Sequence, residues 1–289
     1  MNGVINFLKP PGMSSNGAVV FLRGVLGVKK TGHTGTLDPG ACGVLPICVG
    51  KATRISSYMM GGKKEYIAEV TFGKSTDTGD SYGKVTRVDH ASLPSDDDVK
   101  KTLAQFLGHI TQQTPAYSAV KHEGVQLYKL ARRGIEIQPK NRAIVIYDAE
   151  YLSQTRPNAH LLRVVCGKGT YIRKLCEDLG ESLGVASYMS FLVRTKCAGL
   201  DIEQAVTADA LKDMKDGFES ILIPMERFLN ELPGISMDAS VSRVLLNGGS
   251  VVCDKADLDE ARIYLDEKFI GIGAVKDRQL KISTLLVDI

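Results

Sequence analysis

The stretch Gly32-His33-Thr34-Gly35-Thr36-Leu37-Asp38-Pro39-Gly40-Ala41-Cys42-Gly43 precedes an apolar strand pattern at residues 44–49. Its glycines allow the backbone to approach a ligand closely. Asp38 is the single acidic residue among residues 1–60, which contain six Lys or Arg. A carboxylate among cations stays ionised and can act as a nucleophile, whereas an Asp before Pro is more commonly a turn former. The stretch therefore predicts a loop in which Asp38 is either a turn former or a reactive group.

His33, in the same loop, is compatible with three roles: a turn residue, a metal ligand or a flat ring inserted into a base stack. The chain has five His and six Cys, and they form no Cys-x-x-Cys or His-x-x-x-His pair. The sequence therefore predicts no metal site, and the scattered cysteines indicate reduced thiols in a cytoplasmic protein. Without a basic leader or an apolar run near 18 residues, we expect neither a secretion signal nor a membrane span.

Periodicity outside the loop predicts alternating strands and helices. Strand patterns cover residues 4–8, 44–49, 65–72, 143–152 and 161–166, and helices are expected after Ser14 or Ser15, after Ser95 and after Thr170. The helix after Ser95 is expected to present Val99, Leu103, Phe106 and Leu107 on one face. This irregular alternation predicts an α/β or α+β fold with a mixed sheet over residues 1–228. Leu232-Pro233-Gly234 reads as a linker, and residues 229–289 as a small all-β domain.

The charges are unevenly distributed. Residues 101–175 contain twelve Lys or Arg against four acids, whereas residues 201–267 contain fifteen acids against six bases. This separation of a basic segment from an acidic one suggests that a polyanionic partner binds on one side of the protein. The alternative is that the charges simply cover a solvated surface. The basic excursion at residues 111–142 mixes aromatics with cations that include Lys121, Arg132 and Arg133. That composition is typical of an RNA-gripping arm, and an ordinary amphipathic helix ending at Gly134 explains its apolar residues equally well.

The segment Gly167-Lys168-Gly169-Thr170-Tyr171-Ile172-Arg173-Lys174 connects a strand to a helix. Two cations in a first helical turn oppose the helix dipole, which favours anions there. We therefore expect a carboxylate such as Asp38, or a phosphate, beside them, with a solvent-exposed pair as the alternative.

The motifs together resemble the TruB family of bacterial tRNA pseudouridine-55 synthases over essentially the whole chain. The resemblance is carried by Lys9-Pro10-Pro11-Gly12, by residues 32–39, by Lys64-Glu65-Tyr66, by Thr76-Asp77-Thr78-Gly79-Asp80, by Tyr117-Ser118-Ala119-Val120-Lys121, by Gly169-Thr170-Tyr171-Ile172-Arg173 and by Leu192-Val193-Arg194. It implies a mixed-sheet catalytic domain with an RNA-gripping thumb at 111–142 and a reduced PUA-like C-terminal domain.

The resemblance also implies a role for each matched residue. Asp38 would be the nucleophile, Arg173 its partner, and Tyr66 a ring that stacks on the flipped uracil and assists proton transfer. His33 would fill the space that the flipped base leaves in the T-loop. Tyr171 and Leu192 would line the base pocket, and Lys9 and Pro10, grouped with the substrate-binding residues, would support the catalytic loop.

Two departures from the family pattern are visible. The family more often has Leu-Ala-Thr-Gly after Asp-Pro, and Gly40-Ala41-Cys42-Gly43 here predicts a wider or looser loop. Residues 229–289 contain ten acids and seven bases, which predicts weak phosphate binding by that segment.

The implied reaction isomerises uridine 55 of the tRNA T-loop to pseudouridine, without a cofactor, in a monomer that needs no protein partner. Asp38 can attack either C1′ of the ribose or C6 of the ring. The alternatives are a non-catalytic tRNA-folding chaperone, a synthase for another RNA, and a hydrolase of N-glycosidic bonds. A hydrolase would need a second acid, which residues 1–60 do not offer.

Overall fold

The computed structural model describes residues 1–90, 92–118, 120–131, 133–135, 140–214 and 216–288. The α-helices are α1 (Ser15–Leu26), α2 (Ser56–Met60), α3 (Asp96–Leu103), α4 (Leu127–Ala131), α5 (Ile172–Ser182), α6 (Ala208–Asp213) and α7 (Ser242–Leu246). The strands are β1 (Gly3–Lys9), β2 (Thr31–His33), β3 (Cys42–Val49), β4 (Lys64–Phe72), β5 (Lys74–Thr76), β6 (Val85–Val88), β7 (Gly108–Gln113), β8 (Lys121–His122), β9 (Val125–Gln126), β10 (Asn141–Arg156), β11 (Ala159–Cys166), β12 (Ser187–Cys197), β13 (Leu200–Asp201), β14 (Gly234–Met237), β15 (Ser250–Val252), β16 (Leu258–Leu265), β17 (Lys268–Lys276) and β18 (Gln279–Leu285).

The larger sheet runs in the order β1-β3-β12-β4-β11-β10-β7, with β2 beside β3 and β13 beside β12. Strands β12 and β3 run parallel, and the other neighbouring pairs in this sheet run antiparallel. The mixed sheet predicted from the sequence is therefore confirmed. Helices α1, α3 and α5 contribute buried apolar side chains to the same core as this sheet.

Helix α1 follows its sequence pattern closely. Ser14 is the N-cap, and its side chain accepts a hydrogen bond from the backbone N–H of Gly17 at 2.9 Å. Gly27 ends the helix with a left-handed φ of 65°, a conformation that glycine adopts without strain. The helix buries Ala18, Val19, Leu22 and Leu26 along one face. The helix start expected after Ser14 or Ser15 is confirmed, with Ser14 as the cap.

Two other helix predictions are partly wrong. Ser95 caps α3 as expected, but the helix ends at Leu103, and a single 3₁₀ turn leaves Leu107 exposed. Helix α5 begins after Tyr171, whose side chain makes no capping bond, whereas the hydroxyl of Thr170 donates back to the carbonyl of Gly167. Thr170 was therefore wrongly predicted as the cap, because its hydroxyl turns into the preceding loop.

Strands β7 and β10 are neighbours, and Gln113 of β7 pairs with Asn141 of β10. The chain between them leaves the sheet, forms the β8–β9 hairpin and helix α4, and returns to the sheet. The predicted range 111–142 begins and ends within the paired strands, so its outermost residues belong to the sheet.

A second sheet of five strands, in the order β14-β16-β17-β18-β15, has a hydrophobic core of its own. The short helix α7 packs beside β15 and β18 and adds one turn of helix to the expected all-β architecture. A further apolar cluster packs the smaller sheet against the 3₁₀ turn that follows β3, and it contains Ile55, Leu229, Ile272 and Leu286. The fold class is confirmed, and the domain boundary between residues 228 and 229 stays a prediction.

None of the helices in the described part of the chain is long and apolar enough to cross a membrane.

Candidate active site

The loop that carries Asp38 is held in place by three buried polar side chains. The hydroxyl of Ser15, at the start of α1, donates to the carbonyl of Leu37 and accepts from its N–H, both at 2.8 Å. The guanidinium of Arg194 donates to the carbonyl of Gly35 at 3.3 Å. The fully buried ammonium of Lys9 lies 3.4 Å from the carbonyl of Pro39. These bonds attach the loop to α1, β12 and β1, and so fix where Asp38 stands.

Asp38 and Arg173 are brought together from positions 135 residues apart. The Nε of Arg173 lies 2.8 Å from one carboxylate oxygen of Asp38, and an Nη lies 3.4 Å from the other. The Arg173 side chain is 5% exposed and the Asp38 side chain 34% exposed. The carboxylate therefore faces the solvent-filled cleft while its counter-charge is fixed behind it. Asp38 is thus the carboxylate that we expected beside the cations in the first turn of α5.

Arg173 also touches two loops that flank the cleft. One guanidinium nitrogen donates to the carbonyl of Thr78 at 2.8 Å, and another donates to the carbonyl of Tyr117 at 2.9 Å. Because a guanidinium presents its donors in a rigid plane, these bonds fix the orientation in which it meets Asp38. The neighbouring cation, Lys174, pairs instead with Asp178 at 2.7 Å within α5.

The cleft above Asp38 has a volume of about 690 Å³. Tyr66 from β4, Tyr171 before α5 and Leu192 from β12 line it together with Arg173. A volume in this range suits a small ligand or one nucleotide. Three of the predicted base-pocket residues are therefore found on the walls of one cleft.

Tyr66 is almost completely buried, and this burial raises the pKa of its phenol to about 12. The nearby Arg194 guanidinium acts in the opposite direction, since it favours the phenolate, but it does not outweigh burial. Tyr66 is therefore a neutral phenol near pH 7, with an apolar ring and one O–H donor.

Gln112 was not singled out from the sequence, although it borders this site. Its side-chain amide donates to the carbonyl of Tyr171 at 3.1 Å and accepts from the N–H of Tyr171 at 2.8 Å. Gln112 lies on β7 and is almost completely buried. The two bonds hold the residue that precedes α5, and with it the base of the helix that carries Arg173. The other residues of β7 are exposed or half-buried. The sequence alone does not show that Gln112 is buried, because its burial depends on the contact with residue 171 that the fold creates.

Arg194 was quoted only as part of a motif, but it is the largest fully buried side chain in the described part of the chain. Its Nε donates to the carbonyl of Val44 at 2.7 Å, in addition to its bonds with the Asp38 loop. Its charge and the burial of the ring together lower the pKa of His33. Arg194 therefore supplies a fixed positive charge beneath the cleft.

The remaining predicted residues lie away from the cleft walls. His33 ends β2 and is half-buried, and its Nδ1 has no hydrogen-bond partner among the residues that the structure describes. Lys9 is fully buried and Pro10 lies beside it, with the Lys9 ammonium 2.9 Å from the Pro10 carbonyl, a position that fits support of the loop.

The predicted cations of the thumb are only partly described. Arg133 is exposed in the turn that follows α4. Arg132 lies outside the described residues, and Lys121 falls in β8 with its side chain outside the described part. Across the described residues, no cluster of three or more His, Cys, Asp or Glu side chains is placed to hold a metal ion.

Two family models match successive parts of the chain. The TruB family pseudouridylate synthase N-terminal domain matches residues 23–172, and the tRNA pseudouridylate synthase B C-terminal domain matches residues 173–230. The chain belongs to the TruB family of pseudouridylate synthases. The resemblance seen in the motifs is thereby confirmed, and so is the class of enzyme, an isomerase.

Full-length relatives and solved structures agree with this family. The chain is 39% identical over 300 residues to a tRNA pseudouridine synthase B of Alkaliphilus oremlandii, covering 100% of this chain and 99% of the relative. It is 41% identical over 293 residues to one of Clostridium tetani, covering 99% and 100%. The crystal structure of a Cbf5-Nop10-Gar1 complex contains a chain with a TM-score of 0.68 and 27% identity, covering 99% of this chain and 83% of that one.

Proposed function

We propose that this TruB family member isomerises a uridine in the T-loop of tRNA, at position 55, to pseudouridine, with Asp38 as the nucleophile. The observation that carries the proposal is the Asp38–Arg173 pair, which presents a partly exposed carboxylate to a cleft of nucleotide size. The tRNA substrate is supported by the relatives named tRNA pseudouridine synthase B.

The reaction breaks the C1′–N1 bond of uridine, turns the base and joins C1′ to C5. The proton on C5 is lost and N1 gains one, so atoms and electrons balance without an oxidant or reductant. A carboxylate at Asp38 can form a transient covalent bond at C1′ or at C6, and both routes end in the same product. Arg173 holds the carboxylate in position before attack and pairs with it again when the covalent bond breaks.

The cleft walls favour a base that has left its helical stack. Removing a base from its stack costs a few kcal/mol. The ring of Tyr66 offers a stacking surface in return, and the side chain of Leu192 excludes water from the reacting atoms. As a neutral phenol, Tyr66 can donate a proton or a hydrogen bond to the turning base.

Other parts of the molecule fit the same substrate. We propose that residues 111–142 form a thumb that grips RNA through its cations, and that residues 229–289 form a PUA-like domain. The C-terminal family model ends at residue 230, close to the proposed boundary. We also propose that the protein acts in the cytoplasm as a monomer, on free tRNA and without a metal.

The decisive experiment incubates the protein with an unmodified tRNA transcript and maps pseudouridine by carbodiimide modification and primer extension. The matched control is the same transcript with cytidine at position 55. A single new pseudouridine at position 55 is the expected result. Tight binding without any pseudouridine would favour the tRNA-folding chaperone, and modification at other positions alone would assign another RNA site.

A further inference from the structure

Tyr82 is a large aromatic residue that stands 69% exposed in the turn between β5 and β6. A turn of this kind needs small or polar residues and gains nothing from a ring in water. The ring lies against Gly40, two residues after Asp38. A Cβ at position 40 would overlap Cε2 of Tyr82 and would lie 2.7 Å from Cδ2 and 2.9 Å from Cζ.

Gly40 is thus the residue that makes room for the ring. It belongs to the turn in which the N–H of Ala41 donates to the carbonyl of Asp38 at 3.1 Å. Any other residue at position 40 would push the ring of Tyr82 away from this turn. The ring of Tyr82 fills the space that the glycine leaves. The difference from the family pattern at position 40 is therefore coupled to Tyr82.

The turn that bears Tyr82 is fixed to the walls of the cleft. Asp80 accepts from the backbone N–H of Tyr82 at 3.0 Å and from the hydroxyl of Thr78 at 2.6 Å. The carbonyl of Thr78 accepts from Arg173, and the carbonyl of Gly79 accepts from the N–H of Met189 in β12. The ring therefore keeps a defined position next to the loop of the nucleophile.

We propose that Tyr82 is a stacking platform for a nucleobase next to the target uridine, on the rim of the cleft and outside the pocket for the flipped base. The edge of the ring formed by Cδ2, Cε2 and Cζ lies beside Gly40, and 69% of the residue is exposed. Stacking on an aromatic ring tolerates any base, so the platform binds the RNA without reading its sequence. The proposal rests on the proposed function, because it places the target uridine above Asp38.

The test compares Tyr82→Ala and Tyr82→Phe with the wild-type protein on a T-arm stem-loop. Val88→Ala is the matched control, since Val88 is a 50% exposed apolar residue of the same hairpin whose strand partner, Lys74, lies at the end away from the turn. We expect Tyr82→Ala to raise KM and Kd about fivefold or more, the usual range for loss of one stacked base, with kcat within twofold. Tyr82→Phe and Val88→Ala should match the wild type.

A second arm identifies the base. Each variant is assayed on RNAs that carry a single abasic site near the target uridine. The site lies at one of the two nucleotides on its 5′ side or at one of the two on its 3′ side. If Tyr82 stacks on one of these bases, that abasic site weakens wild-type binding but adds nothing to the effect of Tyr82→Ala. Additive effects at every position would overturn the proposal, and so would a loss of kcat with unchanged KM, which would show that the ring only shapes the loop. Absence of pseudouridine with the wild-type protein would refute the proposed function instead, and the Kd measurements would still test the stacking.

Discussion

Asp38 keeps about a third of its side-chain surface exposed, while its partner Arg173 is held behind it by bonds to the carbonyls of Thr78 and Tyr117. A carboxylate fixed in this way loses little conformational freedom when it attacks a base. The proposed chemistry therefore depends on the carboxylate oxygen atoms of Asp38 more than on any other group.

We predict that Asp38→Asn abolishes pseudouridine formation and leaves T-arm binding within a few-fold of the wild type. The amide has almost the same shape, so the cleft is preserved, but it is not a nucleophile of comparable strength. Release of tritium from 5-tritiated uridine measures the reaction, and filter binding measures affinity. Asp209→Asn, at an exposed acid paired with Lys212, is the control. Turnover of Asp38→Asn at the wild-type rate would remove Asp38 from the role of nucleophile.

At the scale of elements, the base of α5 is held by β7 through Gln112. We predict that Gln112→Glu lowers kcat at pH 8 by about tenfold and that part of the loss is recovered on lowering the pH toward 6. An ionised Glu can accept from the N–H of Tyr171 but repels its carbonyl, whereas the protonated acid restores the missing donor. A loss of about 1.4 kcal/mol corresponds to this tenfold change.

The pH profile separates this positioning role from a general loss of stability. Gln112→Leu should be slow at every pH, because it can neither donate nor accept. Gln113→Glu, at the exposed next residue of β7, is the matched control and should follow the wild-type profile. A Gln112→Glu profile parallel to that of the wild type would contradict the positioning role.

The contribution of the proposed thumb, residues 111–142, to tRNA binding can be measured from the salt dependence of that binding. We predict that Arg133→Ala and Lys140→Ala each weaken tRNA binding and reduce the slope of log K against log salt by about 1, since each neutralised phosphate releases counterions. Both residues are exposed in the thumb segment between β7 and β10. Lys212→Ala, which removes a cation from the acidic segment 201–267, should leave the slope unchanged. Unaltered slopes for both thumb variants would show that the thumb does not contact phosphates.

Local signals explain which elements were predictable. Helix α1 has a Ser cap, an apolar stripe and a terminal Gly, all within its own sequence, and it formed as predicted. The loop of Asp38 is predictable from its glycines and its Asp-Pro pair, and Asp38 stands out in it as one acid among six cations. The start of α5 was mispredicted because a Thr hydroxyl can bond forward or backward, and only the fold decides. The clamp by Gln112 spans 59 residues and the contact of Tyr82 with Gly40 spans two separate loops, so no local pattern reports either one.

At the scale of the whole molecule, an apolar cluster packs the smaller sheet against the segment that follows β3 and the segment that precedes β14. It includes Ile55 from the 3₁₀ turn after β3, Leu229 and Ile272 of β17. The side chain of Arg54 also donates to the carbonyl of Leu285 in β18 at 2.7 Å. The segment after β3 therefore packs on both sheets. A rigid junction of this kind would hold the acidic C-terminal residues in one place while RNA approaches the basic side.

We predict that Ile272→Ala lowers the free energy of unfolding by about 2–4 kcal/mol, the usual cost of removing a large apolar side chain from a core. Because its cluster packs the smaller sheet against the 3₁₀ turn that directly follows β3 of the larger sheet, the wild-type protein should unfold in one calorimetric transition, and Ile272→Ala should split that transition in two. Ile263→Ala is the matched control, since Ile263 is fully buried within the core of the smaller sheet. It should lower the melting temperature of the smaller sheet without weakening the junction. Hydrogen exchange of the β4 amides follows the larger sheet separately. Two transitions already in the wild-type protein, with the β4 amides protected through the first, would show that the shared cluster does not couple the sheets.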